Sequence, residues 1–112
     1  MNHSEWLACF AADLRRGNIA AAADRFHETS YWRDLVAFTW NIVTFESRNA
    51  IAAMLEARLS DVRPDSFEAE GSDGWFTFAT SAGRGRGHVR LKDGKCHTLF
   101  TALMSLDGFE EA

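Results

Sequence analysis

The sequence predicts an α+β fold in which about three N-terminal helices are wrapped by a curved, largely antiparallel sheet. Three observations carry this. Apolar residues recur at helical spacing in the first half, the period becomes strand-like from Ser66 onward, and Asp93-Gly94 separates two strand-like runs. With 112 residues, nine Phe and four Trp, the chain suits one domain, 1–112, with one substantial core.

The elements follow in order. Ser4 is placed to cap a first helix whose apolar positions are Trp6, Leu7, Phe10, Ala11 and Leu14. Arg15 and Arg16 suit its C-terminal end and Gly17 stops it. Asn18 caps a second helix with Ile19, Ala22, Ala23 and Phe26 on one side. Ser47 caps a third, where Ile51, Met54, Leu55 and Leu59 repeat at helical intervals. Between them, 31–46 is aromatic and β-branched without clean periodicity; a helical turn after Asp34 and a strand over 42–46 are expected. Turn signals at Ser72-Asp73-Gly74, at 83–85 and at Asp93-Gly94 then divide strands over 67–71, 75–82, 87–92 and 95–106. Asp-Gly is the strongest of these signals, because both residues tolerate positive φ.

A two-residue turn at Asp93-Gly94 pairs Lys92 with Lys95, Leu91 with Cys96, Arg90 with His97 and His88 with Leu99. One face then carries Arg86, His88, Arg90, Lys92, Lys95, His97, Leu99, Thr101 and Leu103. The other carries Val89, Leu91, Cys96, Thr98, Phe100, Ala102 and Met104. The second face is apolar and needs a cover, either helices or another subunit. The first grades from charged to apolar, which fits a pocket with a polar mouth and equally an exposed basic stripe. A bulge near Gly85 or Gly87 would exchange the faces.

Charge and composition exclude several classes. A formal net charge of −4 argues against a nucleic-acid partner. No apolar run is long enough for a membrane span, and the N-terminus lacks a signal-peptide pattern. Cys9 and Cys96 lack metal-like spacing and read as buried free thiols, which suits the cytoplasm.

Trp32-Arg33-Asp34, followed by Phe45-Glu46-Ser47-Arg48-Asn49-Ala50-Ile51 and the strand meander, resembles the nuclear transport factor 2-like superfamily, which includes SnoaL-like cyclases and ketosteroid isomerase. The resemblance implies a cone-shaped, cystatin-like α+β barrel with a mixed sheet. It puts Asp34 where the isomerase has its base. It lines a ligand pocket with Arg86, His88, Arg90, His97, Leu99 and Thr101, to which Trp32 and Trp40 are added because they flank Asp34, and makes the outer sheet face a homodimer contact. Phe10 stands where the isomerase has its oxyanion tyrosine, so that hole is not carried over. Tyr31–Leu35, Phe38-Thr39-Trp40-Asn41, Gly83-Arg84-Gly85-Arg86-Gly87-His88 and Gly108-Phe109-Glu110-Glu111 are similar to the N-terminal domain of some flavin-dependent monooxygenases. That likeness implies a flavin-dependent oxidoreductase partner. With no Gly-rich dinucleotide fingerprint, no cofactor of the chain's own is expected.

Function stays open between classes at this stage. Asp34, desolvated among Trp32, Trp40 and Phe45, suits general-base catalysis in an isomerase, cyclase or hydrolase, with His88, His97 or Arg90 facing a developing oxyanion. It equally suits pairing with Arg33, Arg86 or Arg90, or capping a turn. The favoured reading is a noncatalytic small-molecule-binding and dimerisation domain; a module with a self-filled pocket is a third. His88, His97 and Asp34 fall short of a convincing ligand set, so no metal is expected.

Overall fold

A computed structural model describes residues 1–106; the Gly108–Glu111 motif lies outside the described residues. The chain order is α1 (His3–Arg15), α2 (Ile19–Asp24), β1 (Phe26–Leu35), β2 (Ile42–Glu46), α3 (Arg48–Val62), β3 (Asp65–Ala69), β4 (Trp75–Ala79), β5 (Gly83–Lys92) and β6 (Lys95–Leu106). The strands form one mixed sheet in the order β2-β1-β6-β5-β4-β3, parallel at β1–β6 and antiparallel elsewhere. Helix α1 packs against β3, and α3 against β1 and β2, so the helices cover one face of the sheet.

The helix caps follow local chemistry. Asn2, rather than Ser4, caps α1: its side chain accepts from the Glu5 amide at 2.8 Å, while Glu5 accepts from the Asn2 amide at 3.2 Å. This reciprocal box satisfies two otherwise unpaired donors, which Ser4 could not do from one residue inside the helix. Asn18 and Ser47 cap α2 and α3 as expected, accepting from the Ala21 and Ala50 amides.

Strand β1 is the main departure. Phe26, expected on the second helix, opens a ten-residue strand that carries Asp34 and ends at Leu35, and the turn expected after Asp34 is a bend rather than a helical turn. Its buried positions are Phe26, Ser30, Trp32 and Asp34, and two of these are polar, which hid the alternation. After Leu35 the chain makes a tight loop, 36–41, closed by the Val36 amide donating to Asn41 O at 3.1 Å. The strand β2 lies over 42–46 as expected.

The Asp93-Gly94 turn forms, with φ of 53° and 81°, and Lys92–Lys95 and Leu91–Cys96 pair as expected. Beyond that the register shifts. His97 is an extra residue on β6, so Arg90 pairs with Thr98, Val89 with Leu99, His88 with Phe100 and Gly87 with Thr101. A second extra residue, Met104, lets Gly85 pair with Leu103. The expected faces therefore separate. Val89, Leu91, Cys96, Leu99 and Thr101 turn inward, while Arg86, His88, Arg90, Thr98 and Phe100 turn outward. The turn expected at 83–85 lies instead at 80–82, where Thr80 accepts from the Ala82 and Gly83 amides.

Aromatic rings fill the interior of the sheet. Trp6 stacks on Phe10 at 4.8 Å, Phe26 on Trp32 at 5.9 Å and Phe67 on Phe78 at 5.5 Å, and Phe38 meets Trp32 edge-on at 4.7 Å. This packing explains the Gly-Arg alternation of β5. The arginines face outward, and the glycines lie under Phe76 and Phe78. A Cβ on Gly85 would sit 2.4 Å from the Phe78 ring, and one on Gly87 would sit 2.4 Å from both the Phe76 ring and the Phe100 carbonyl oxygen.

Two expected outcomes follow from this interior. Gly87→Ala forces apart a ring and a strand that are both held by the sheet, and should lower unfolding stability in urea by about 2–3 kcal/mol; an unchanged midpoint would show that the rings can yield. Both cysteines are free, Cys96 is fully buried, and its burial pushes the thiol far above the ordinary range. A thiol reagent should therefore leave Cys96 intact in the native protein and modify it at once in denaturant; rapid native labelling at that position would contradict the packing.

Candidate functional site

Asp34 is completely buried near the end of β1, on the inner face beside its β6 partner Thr101. Every contact donates to it. The Phe38 amide is 3.0 Å from Oδ1 and 3.1 Å from Oδ2, and the Thr39 amide is 2.8 Å from Oδ2. The Thr39 hydroxyl lies 3.0 Å from Oδ2, and the Thr101 hydroxyl 2.6 Å from Oδ1. Thr101 Oγ1 in turn accepts from the buried Trp32 indole N–H at 2.8 Å. The result is a chain from Trp32 to Thr101 to Asp34 to the amides of loop 36–41. It crosses the parallel β1–β6 junction and ties the loop to the sheet.

The loop needs such an anchor. Val36 has φ of 67°, a left-handed conformation that a β-branched residue disfavours. The carboxylate gathers the two amides that the turn leaves without ladder partners, and so offsets that strain.

Of the residues expected to line a pocket, Asp34, Trp32, Leu99 and Thr101 come together, all nearly inaccessible to solvent. The others do not join them. Trp40 is 63 % exposed on the loop and borders a 240 Å³ cavity with Phe38, Arg58 and Thr80. Arg86, His88 and Arg90 point to the outer face, because the His97 bulge moves β6 by one residue relative to β5. His97 itself lies at the bulge with its ring 5.8 Å from Tyr31 and 6.5 Å from His27.

The outward groups have structural partners. The Arg86 guanidinium lies 4.3 Å above the Trp75 ring and 2.9 Å from Glu70, and the hydrogen bond it donates to Glu70 raises its already high pKa. His88 meets Trp75 edge-on at 4.8 Å, and its Nε2 is 2.8 Å from Asp73 O. Together they clip the 70–74 turn to the sheet. A groove of 580 Å³ beside them is lined by Glu68, Thr77, Arg84, Arg86 and Met104. Among the described residues, no cluster of three or more His, Cys, Asp or Glu could hold a metal ion, and no helix is long and apolar enough to cross a membrane.

The sequence reading missed Thr39 and Thr101 as the partners of Asp34. A threonine five residues after an aspartate at the end of a strand is the available signal, since such pairs close side-chain-to-backbone turns.

Comparison with known proteins shows the fold. No protein-family model and no curated protein matches the chain. Solved structures do. An NTF-2 like protein of unknown function from Burkholderia xenovorans LB400 is similar, with a TM-score of 0.73 and 14% identity over 98% of this chain and 87% of that one. A cystatin-like protein of unknown function from Xanthomonas campestris superposes with a TM-score of 0.68 and 15% identity, covering 95% of this chain and 93% of that one. The epoxide hydrolase/cyclase-like enzyme SalBIII, of pyran ring formation in polyether salinomycin, gives 0.63 and 17%, covering 89% and 88%. The architecture is the α+β nuclear transport factor 2-like, cystatin-like fold.

Asp34→Asn tests the anchor directly. Whichever way the amide turns, its NH2 faces groups that already donate, so unfolding stability should fall by about 2–4 kcal/mol. A loss below about 0.5 kcal/mol in a urea titration would show that the carboxylate is not holding the loop.

Proposed function

We propose that this SnoaL-like domain is noncatalytic and works through the outer face of its sheet, pairing with a second copy of itself. The observation that carries this reading is the filled interior. Trp6, Phe10, Phe26, Trp32, Phe38, Phe76 and Phe78 occupy the space inside the sheet, and both oxygens of Asp34 are taken up by loop and strand donors. A general base needs an unoccupied acceptor position facing substrate, so the isomerase, cyclase or hydrolase reading with Asp34 as base has less support.

The outer face offers apolar surface for a partner. Tyr31 is 37 % exposed, Trp75 38 % and Met104 66 %, and the outward Phe100 is half-buried between its strand partners Arg33 and His88. Scattered apolar residues on a monomer surface are ordinary, but aromatic residues at outer positions of β1, β6 and β4, with His88 of β5 between the last two, match the composition of an interface centre. The sequence likeness to domains that precede flavin-dependent monooxygenases supplies a class of client, a flavin-dependent oxidoreductase brought together in pairs.

Light scattering on the eluting protein is the test. At micromolar concentration the mass should be twice the 12.5 kDa of the chain, and Phe100→Glu should halve it with an unchanged circular dichroism spectrum. A wild-type monomer at that concentration would overturn the proposal.

A further inference from the structure

The C-terminal ends of α1 and α3 meet the start of β3 at a second surface that the sheet face does not include. Leu14, Leu59 and Pro64 line a notch of 500 Å³ there, bordered by Arg15, Arg16 and Arg63, with Asp65 as the one acidic residue among the described lining residues. The chain as a whole carries a formal charge of −4, so three arginines around one apolar recess reverse its sign locally. Arg15 approaches Asp65 at 3.6 Å with both side chains about two-thirds exposed, a pair that solvent screens. Arg16 and Arg63 carry no ion pair among the described residues.

Arginines near helix C-termini complement the helix dipole, and that alone would explain Arg15 and Arg16. It accounts for the charge of Arg63 as well, at the C-terminal cap of α3, but not for its backbone conformation. Arg63 caps α3 in the left-handed conformation, φ 45°, with its amide donating to Leu59 O at 3.0 Å. Glycine takes that position without strain and an arginine does not. A charged side chain is thus held at a backbone position that favours none, at the rim of an apolar recess.

We propose that this notch binds a small amphiphile, with an anionic head gripped by Arg16 and Arg63 and an apolar body laid on Leu14, Leu59 and Pro64. The planar guanidinium fork matches the paired oxygens of a carboxylate or phosphate. The volume is that of an ordinary small-molecule site. The site uses neither Asp34 nor the outer sheet face, so it stands or falls apart from the pairing proposed above.

Amide chemical shifts of the full chain, titrated with octanoate and with octyl phosphate, test it. Either probe should move the Gly17, Ser60, Arg63 and Asp65 amides in a saturable way, and the tighter of the two identifies the head group. Octanol and acetate, which lack one half each, should bind at least about tenfold more weakly, and added salt should weaken the amphiphile. Arg63→Gly should reduce affinity at least about fivefold while keeping or raising the melting temperature, since it also relieves the left-handed strain. Arg16→Ser should reduce affinity similarly. No saturable shift with either probe, equal binding of octanol, or unchanged affinity in both variants would overturn the proposal.

Discussion

The hydrogen-bonded chain from Trp32 through Thr101 to Asp34 is the constraint on which the rest of the sheet depends. Among the described residues the β1–β6 contact is the single parallel pairing, and it joins the β2–β1 hairpin to the meander of β3 to β6. It also shows a register irregularity between Phe26 and Tyr31. Side-chain bonds that cross this junction fix which residue of β1 faces which residue of β6. The same carboxylate then gathers the Phe38 and Thr39 amides, so that Phe38 is delivered into the core against Trp32. In a buried place an unpaired polar group is costly, so each member of this chain requires the others.

The aromatic interior follows from that register. Once Trp32 and Phe38 are set, Phe26, Phe10 and Trp6 pack behind them, and Phe76 and Phe78 lie across the glycines of β5. A second tie holds the helical side: Arg25, at the end of α2, bonds to the buried Asp13 of α1, and that hydrogen bond raises the guanidinium pKa. Arg48, at the start of α3, reaches the Phe26 carbonyl at 2.7 Å. Helices α1 and α2 are therefore tied to each other, and α3 to β1, by polar contacts as well as by the rings between.

The candidate site was legible in part. Asp34 stands out in the sequence as a lone carboxylate among aromatics, and its neighbours Trp32, Leu99 and Thr101 share its buried face. Arg86, His88 and Arg90 do not join it, because one extra residue at His97 slides β6 against β5 and sends them to the opposite face. A period of two makes every such assignment sensitive to a single residue. His97 has no feature in the sequence that marks it as a bulge. Strand β1 was hidden for a related reason: its inner face carries Ser30 and Asp34, and alternation is readable only when the buried side is apolar.

The sequence by itself determined the α+β class, the caps Asn18 and Ser47, the α3 stripe, the Asp93-Gly94 hairpin and the aromatic core. Those are properties of short stretches, decided by helical or strand period and by the φ preferences of a few residues. Tertiary structure alone decided which face of the last hairpin is inside, why β5 needs glycine at alternate places, and what Asp34 holds. Each of these rests on contacts between residues far apart in the chain, such as Asp34 with Thr101 and Gly87 with Phe76, whose distances no local pattern records.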